Sequence, residues 1–334
     1  MKQRNYTIDI LKGLAIISVV YFHLGYIAAF VFDWLQTAHI PIFVFVSGLL
    51  ACGKTNISFF TYISKKAKSF LVPYCIFVVL CLVAAELYHC TLFGTLVKPN
   101  TLWLKAFLLT GEPLKELTLS FDRFRFYVLW FFVTMFFAHV IFWFVSRLNR
   151  HGIAIVMCIL ALISAWFMKL YNGMDFTTPF NISAIPNFVL YMCLATVLKE
   201  HFTGKFTKEK KLFISVSFIL LATLLLIIYG SLGNVKMLLS LMYIPVSFMQ
   251  VTGWYGLCSS IGRCKLLEYL GRISLYIYGL HIIFIETFRA IFYKLGINIR
   301  HNLPARLVIL ITTITLCCLC FEAYNRIKLR LTKK

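Results

Sequence analysis

The sequence has little charge and least of all acid. Of its 334 residues 13% are charged, and 12 Asp or Glu stand against 33 Lys or Arg. A soluble domain carries about 25% charged residues, so an ordinary soluble fold is excluded. There is no GxSxG elbow and no HExxH pair, which disfavours a covalent serine enzyme and a zincin. A nucleotide hydrolase is not expected either. No internal repeat, low-complexity stretch or appended soluble domain is visible, so residues 1–334 read as one domain. The eleven cysteines lie mostly inside apolar runs and no two CxxC pairs occur, so they read as small hydrophobes and no metal site is expected.

What is present is hydrophobicity, at 61% of residues. Ten apolar segments can be drawn, about residues 8–30, 34–52, 70–90, 126–146, 153–170, 184–200, 212–230, 236–258, 273–293 and 307–324. Their lengths predict an all-α, polytopic membrane bundle of about ten transmembrane helices. The first run, Ile8–Phe30, is longer than a signal-peptide core and carries ionisable residues, so it reads as a retained span. With the N-terminus placed in the cytoplasm, about twice as many Lys and Arg fall on inner connections as on outer ones. That bias predicts both termini inside. It also accounts for most of the net charge of +21 through topology and contact with membrane lipid, with no nucleic acid partner. Pro245 is expected to kink the eighth segment.

The most informative stretch is 7–54, where Asp9, Lys12, His23 and His39 stand in two apolar segments. Ionisable groups at membrane depth cost about 2.5–3.5 kcal/mol or more and mark function by default. On one helix Lys12 and His23 lie about 16 Å apart, half the hydrocarbon thickness. Farther on, Glu286 and Arg289 have the spacing of an ion pair. The basic run at 65–68 places Lys65 and Lys68 one turn apart just before an apolar segment. Arg123 and Arg125 enter the fourth segment from a long outer connection. They suit a polar ligand, or equally an interfacial anchor with Tyr127 and Trp130.

Five stretches together carry a resemblance: ILKG with its later His23, HIPIFVFVSG at 39–48, KKAKSFLVPY at 65–74, LWFFVTMFF at 129–137 and ISLYIYGLH at 273–281. They resemble the membrane acyltransferase 3 family, whose members O-acylate sugars. The pairing of ILKG…H with AHIPIF is most similar to its fucose 4-O-acetylase-like branch. Most of the family has Arg in place of Lys12, and often Arg-x-x-Arg in place of Lys65 and Lys68. The resemblance implies that His23 is catalytic, that His39 belongs to the site, and that His281 occupies a family position open to either a supporting role or a core hydrogen bond. His89, His139, His151, His201 and His301 match no motif and are expected at interfaces or in loops.

The chemistry fits those positions. An imidazole has the pKa of a general base near neutral pH, and cations suit the phosphates of coenzyme A. The expectation is therefore an acetyl-CoA-dependent O-acetyltransferase of a cell-surface or exported polysaccharide, in a bacterial cytoplasmic membrane. His23 and His39 would be catalytic and able to approach each other. Lys12, Lys65 and Lys68 would hold the donor, Asp9 would orient Lys12 or simply pair with it, and Arg123 and Arg125 would meet the sugar. The competing readings are a proton-coupled transporter and a glycan flippase or polymerase. A transporter usually has repeats and broken helices, and neither is read from this sequence.

Overall fold

The computed structural model describes residues 5–25, 27–52, 57–93, 126–171, 179–202, 207–231, 236–299 and 302–331. Among them no strand occurs, and twelve α-helices follow one another. They are α1 (Tyr6–His23), α2 (Ala29–Gln36), α3 (His39–Ala51), α4 (Phe59–Phe93), α5 (Trp130–Val145), α6 (Arg150–Tyr171), α7 (Ile185–Phe202), α8 (Lys208–Ser231), α9 (Lys236–Ile261), α10 (Lys265–Arg272), α11 (Ser274–Lys294) and α12 (Leu303–Leu331). Eight stretches are long and apolar enough to cross a membrane, with α2 and α3 counting as one. The shorter apolar α5 and the 26-residue α9 occupy the two remaining predicted segments. Each of the ten apolar segments is thus helical over most of its described residues. Without water to take backbone hydrogen bonds, an apolar run in lipid must satisfy its own, and the helix does so.

Burial sorts the helices into layers. Leu11, Ile16, Val19, Phe45, Phe132, Phe142, Met192 and Ile277, from α1, α3, α5, α7 and α11, are fully enclosed. On α6, α8 and α12 large apolar side chains face outward, among them Leu162, Leu220 and Ile311. An exposed Leu costs little in lipid, so close packing rather than water exclusion holds such a bundle together. Gly48 shows this: a Cβ there would lie 2.7 Å from the Met192 Cα, so α3 and α7 touch backbone to backbone.

Two features depart from the sequence reading. First, α4 begins at Phe59, so the 65–68 lysines ride on the helix itself rather than preceding it. Second, the second segment is broken, with Thr37 and Ala38 separating α2 from α3. Pro41 explains the break, because it lacks the N–H that would bond the Thr37 carbonyl in a continuous helix. That carbonyl accepts instead from Ser247 Oγ of α9, at 2.5 Å. Tyr243 Oη and Gln250 Nε2, also on α9, donate to the carbonyls of Gln36 (3.1 Å) and Trp34 (3.3 Å). Non-helical backbone at membrane depth persists when protein groups satisfy it in this way.

The short α10 was not anticipated. It crosses the start of α1, and its Gly271 lies so close that a Cβ would collide with the Asp9 carbonyl oxygen. A side chain on Gly13 would likewise strike the Leu267 carbonyl. α10 thereby fixes the end of the bundle at which α1 begins.

Candidate functional site

Ionisable and hydrogen-bonding side chains gather at both ends of the bundle. At the end where α1 begins, Asn5 caps the helix by accepting from the Thr7 N–H at 3.0 Å. Asp9, 6% exposed, lies in the first turn beneath α10, and Lys12 is half-buried one turn on.

At the far end of α1 stands His23, half-buried. Its ring meets that of His281, centroid to centroid at 5.2 Å. His281, on α11, is fully buried, and its Nδ1 lies 2.7 Å from the Tyr278 carbonyl and 3.2 Å from that of Ile277. A carbonyl only accepts, so Nδ1 carries the proton of the neutral ring and Nε2 presents its lone pair. Nε2 is buried with no hydrogen-bond partner among the described residues. Tyr278 itself is pinned, its hydroxyl donating to the Val128 carbonyl in the turn before α5.

Arg289 locks α11 to α1. Its Nη1 pairs with Glu286 at 2.5 Å, as the spacing predicted. Its Nη2 donates to the carbonyls of His23 (2.8 Å) and Leu24 (2.5 Å). A cation on the last carbonyls of a helix complements its dipole. The chain leaves α1 through Gly25, whose φ of +68° suits glycine.

His39 opens α3 and is 4% exposed. Its Nδ1 lies 2.5 Å from the Leu35 carbonyl, and its ring packs on Phe22 at 4.7 Å. His281 is thus in ring contact with His23, while His39 closes the end of α2 and abuts the residue before His23. Across the break at Thr37–Ala38 the His39 ring reaches back to the Leu35 carbonyl in α2.

The lysines of α4 divide by face. Lys65 and Lys68 are exposed, whereas Lys66 is half-buried and points into the bundle. Its Nζ lies 3.1 Å from His139 Nε2, which is also 2.7 Å from Ser47 Oγ. The other ring nitrogen lies 2.8 Å from Tyr62 Oη. His139 is thus a completely buried junction of α3, α4 and α5, which corrects the expectation that it is interfacial or in a loop. The signal was present in the sequence: Tyr62, Lys66 and Phe70 recur every four residues and share one face, and Phe70 stacks on His139 at 5.4 Å. Because α3 and α5 finish here while α4 starts, this cluster sits at the end where α1 begins. Arg123 and Arg125 lie outside the described residues.

Residues 48–55, GLLACGKT, carry P-loop spacing. A phosphate-cradling loop follows a strand and opens a helix. Gly48 lies inside α3, packed on Met192, so the spacing is incidental here.

Searches of curated proteins and of solved structures found no match. A family model described as an acyltransferase domain matches residues 5–322, taking in α1 to α11 and most of α12. The match spans both polar ends of the bundle and includes His23, His281 and Lys12. With it the chain belongs to the membrane acyltransferase 3 family, and it is a membrane acyltransferase.

Proposed function

We propose that the protein moves an acetyl group from acetyl-CoA to a hydroxyl of a cell-surface or exported sugar. The observation that carries this reading is the His23–His281 ring contact at 5.2 Å, with an unpaired, buried Nε2 beside it. Transfer requires the hydroxyl oxygen to attack the thioester carbonyl as its proton leaves. The C–O bond forms, the C–S bond breaks, and coenzyme A departs as the thiol with a proton. His23 takes the hydroxyl proton. His281, held as the Nδ1–H tautomer by the Tyr278 carbonyl, offers a second acceptor within the same contact. A positioned base of this kind contributes about 10²–10⁴ in rate.

Lys12, about 16 Å back along the helix, is placed for the donor's phosphates, with Asp9 beside it. Lys65 and Lys68 add positive charge at the same end from an exposed face. The charge bias puts that end, and both termini, in the cytoplasm, where acetyl-CoA is made. His23 then lies toward the outer face of a bacterial cytoplasmic membrane. Arg123 and Arg125 would meet the glycan, and the ILKG…H and AHIPIF segments favour a fucose 4-O-acetylase-like acceptor. The test is transfer of labelled acetyl from acetyl-CoA to de-O-acetylated envelope glycan by protein in proteoliposomes. Label in the glycan supports the reading. Equal label with a His23→Ala protein contradicts it.

A further inference from the structure

Beyond the histidines, the most unusual chemistry is a set of neutral polar groups around the α2–α3 break. Gln250 and Tyr191 are both completely buried. Gln250 Nε2 donates to Thr37 Oγ1 at 3.0 Å, but its Oε1 has no partner among the described residues. The Tyr191 hydroxyl lies against Ser247 yet forms no well-aligned hydrogen bond. Asn187 Oδ1, one turn earlier on the same face of α7, is buried and unpartnered as well. Three such atoms on facing helices call for an explanation, because a buried polar group left unsatisfied is costly.

The break explains part of the set. Ser247 Oγ and Gln250 Nε2 satisfy backbone that Pro41 leaves open. It does not explain Gln250 Oε1, Tyr191 Oη or Asn187 Oδ1, which have no well-aligned partner there among the described residues. These are acceptors and a hydroxyl, uncharged and directional. Such a set suits a neutral polyol, whose hydroxyls both donate and accept, and it offers nothing to a phosphate. The place is also suitable, since Thr37 lies two residues before His39, and His39 packs on Phe22 next to His23.

We propose that Tyr191, Gln250 and Asn187 form a subsite for the hydroxyls of the acceptor sugar, seated at the α2–α3 break beside His39. This rests on the sugar-acylating reading above. The subsite sets which ring is presented to His23 without touching the donor. Specificity of this kind is strong, because a site built to bond a hydroxyl leaves its own polar groups unpaired when that hydroxyl is missing.

Tyr191→Phe gives a clean test, since it removes an oxygen that makes no well-aligned hydrogen bond among the described residues. De-O-acetylated envelope glycan is the acceptor probe, and KM, acetyl-CoA affinity and thermal stability are measured for wild type and variant. The proposal expects the acceptor KM to rise about tenfold, the effect of one well-placed hydrogen bond. Donor affinity stays the same, and thermal stability is equal or higher. Gln250→Met, which also loses the bonds to Trp34 and Thr37, raises KM and lowers stability together. A Tyr191→Phe KM within twofold of wild type overturns the subsite. So does lowered stability with unchanged KM, because it identifies the hydroxyl as satisfied by structural water. A wild-type protein that acetylates no glycan removes both the subsite and the reading beneath it, which separates the two failures.

Discussion

Arg289→Met examines how the fold holds His23. The guanidinium joins Glu286 to the last carbonyls of α1, and the two side chains are 18% and 7% exposed. Removing one member of a buried pair costs about 3–5 kcal/mol, and a charge-assisted hydrogen bond about 1.5–3 kcal/mol. Partial exposure of Arg289 points to the lower end, so the expected loss is about 3 kcal/mol. Lysine cannot fork between a carboxylate and two carbonyls, so Arg289→Lys should recover only part of it. The double variant Glu286→Gln/Arg289→Met removes the carboxylate that loses its guanidinium and should regain much of the stability. It leaves the end of α1 undocked. A displacement of about 1 Å in a catalytic group lowers rates by about 10², so acyl transfer should remain low in the double variant. Unfolding in mixed micelles, followed beside acyl-transfer rate, separates the two effects. Wild-type stability and rate in Arg289→Met, or full recovery of rate in the double variant, would refute the docking argument.

Other outcomes follow from the same geometry. Gly271→Ala should separate α10 from α1 at a cost of about 1–3 kcal/mol, the usual penalty of overpacking, read by unfolding in micelles. His139→Leu should lower stability by about 1–3 kcal/mol by stripping Tyr62, Ser47 and Lys66 of a shared partner, and His139→Gln should restore part of it. Lys12→Ala should weaken acetyl-CoA binding measured by calorimetry. The exposed Lys65→Ala and Lys68→Ala changes should have smaller effects that fade with salt, since surface charges are screened over about 8 Å at physiological ionic strength.

The helical class and ten apolar segments were legible because hydropathy and length alone determine them. The Glu286–Arg289 pair was legible because it is a local pattern on one helix. The break at Thr37–Ala38 was harder to see, since 34–52 reads as one apolar run. Pro41 was its only local sign, and Ser247, the group that satisfies the opened carbonyl, lies 210 residues away. His139 was misplaced for a related reason. A histidine in an apolar helix looks the same whether it faces lipid headgroups or a junction, and its partners come from two other helices. The approach of His281 to His23 depends on where α11 packs, which segment order does not specify.

The central claim is that His23 takes the acceptor's proton at the end of a helix whose other end faces the donor. The most direct measurement is the acetyl-transfer rate of His23→Gln, inserted at normal levels, beside its acetyl-CoA affinity. Glutamine keeps a hydrogen bond but accepts no proton. The account predicts a rate lower by about 10²–10⁴, with donor affinity retained because the phosphates lie about 16 Å away along α1. A His23→Gln protein that transfers acetyl at near the original rate would contradict it and place the base elsewhere, with the unpaired Nε2 of His281 the next group to examine.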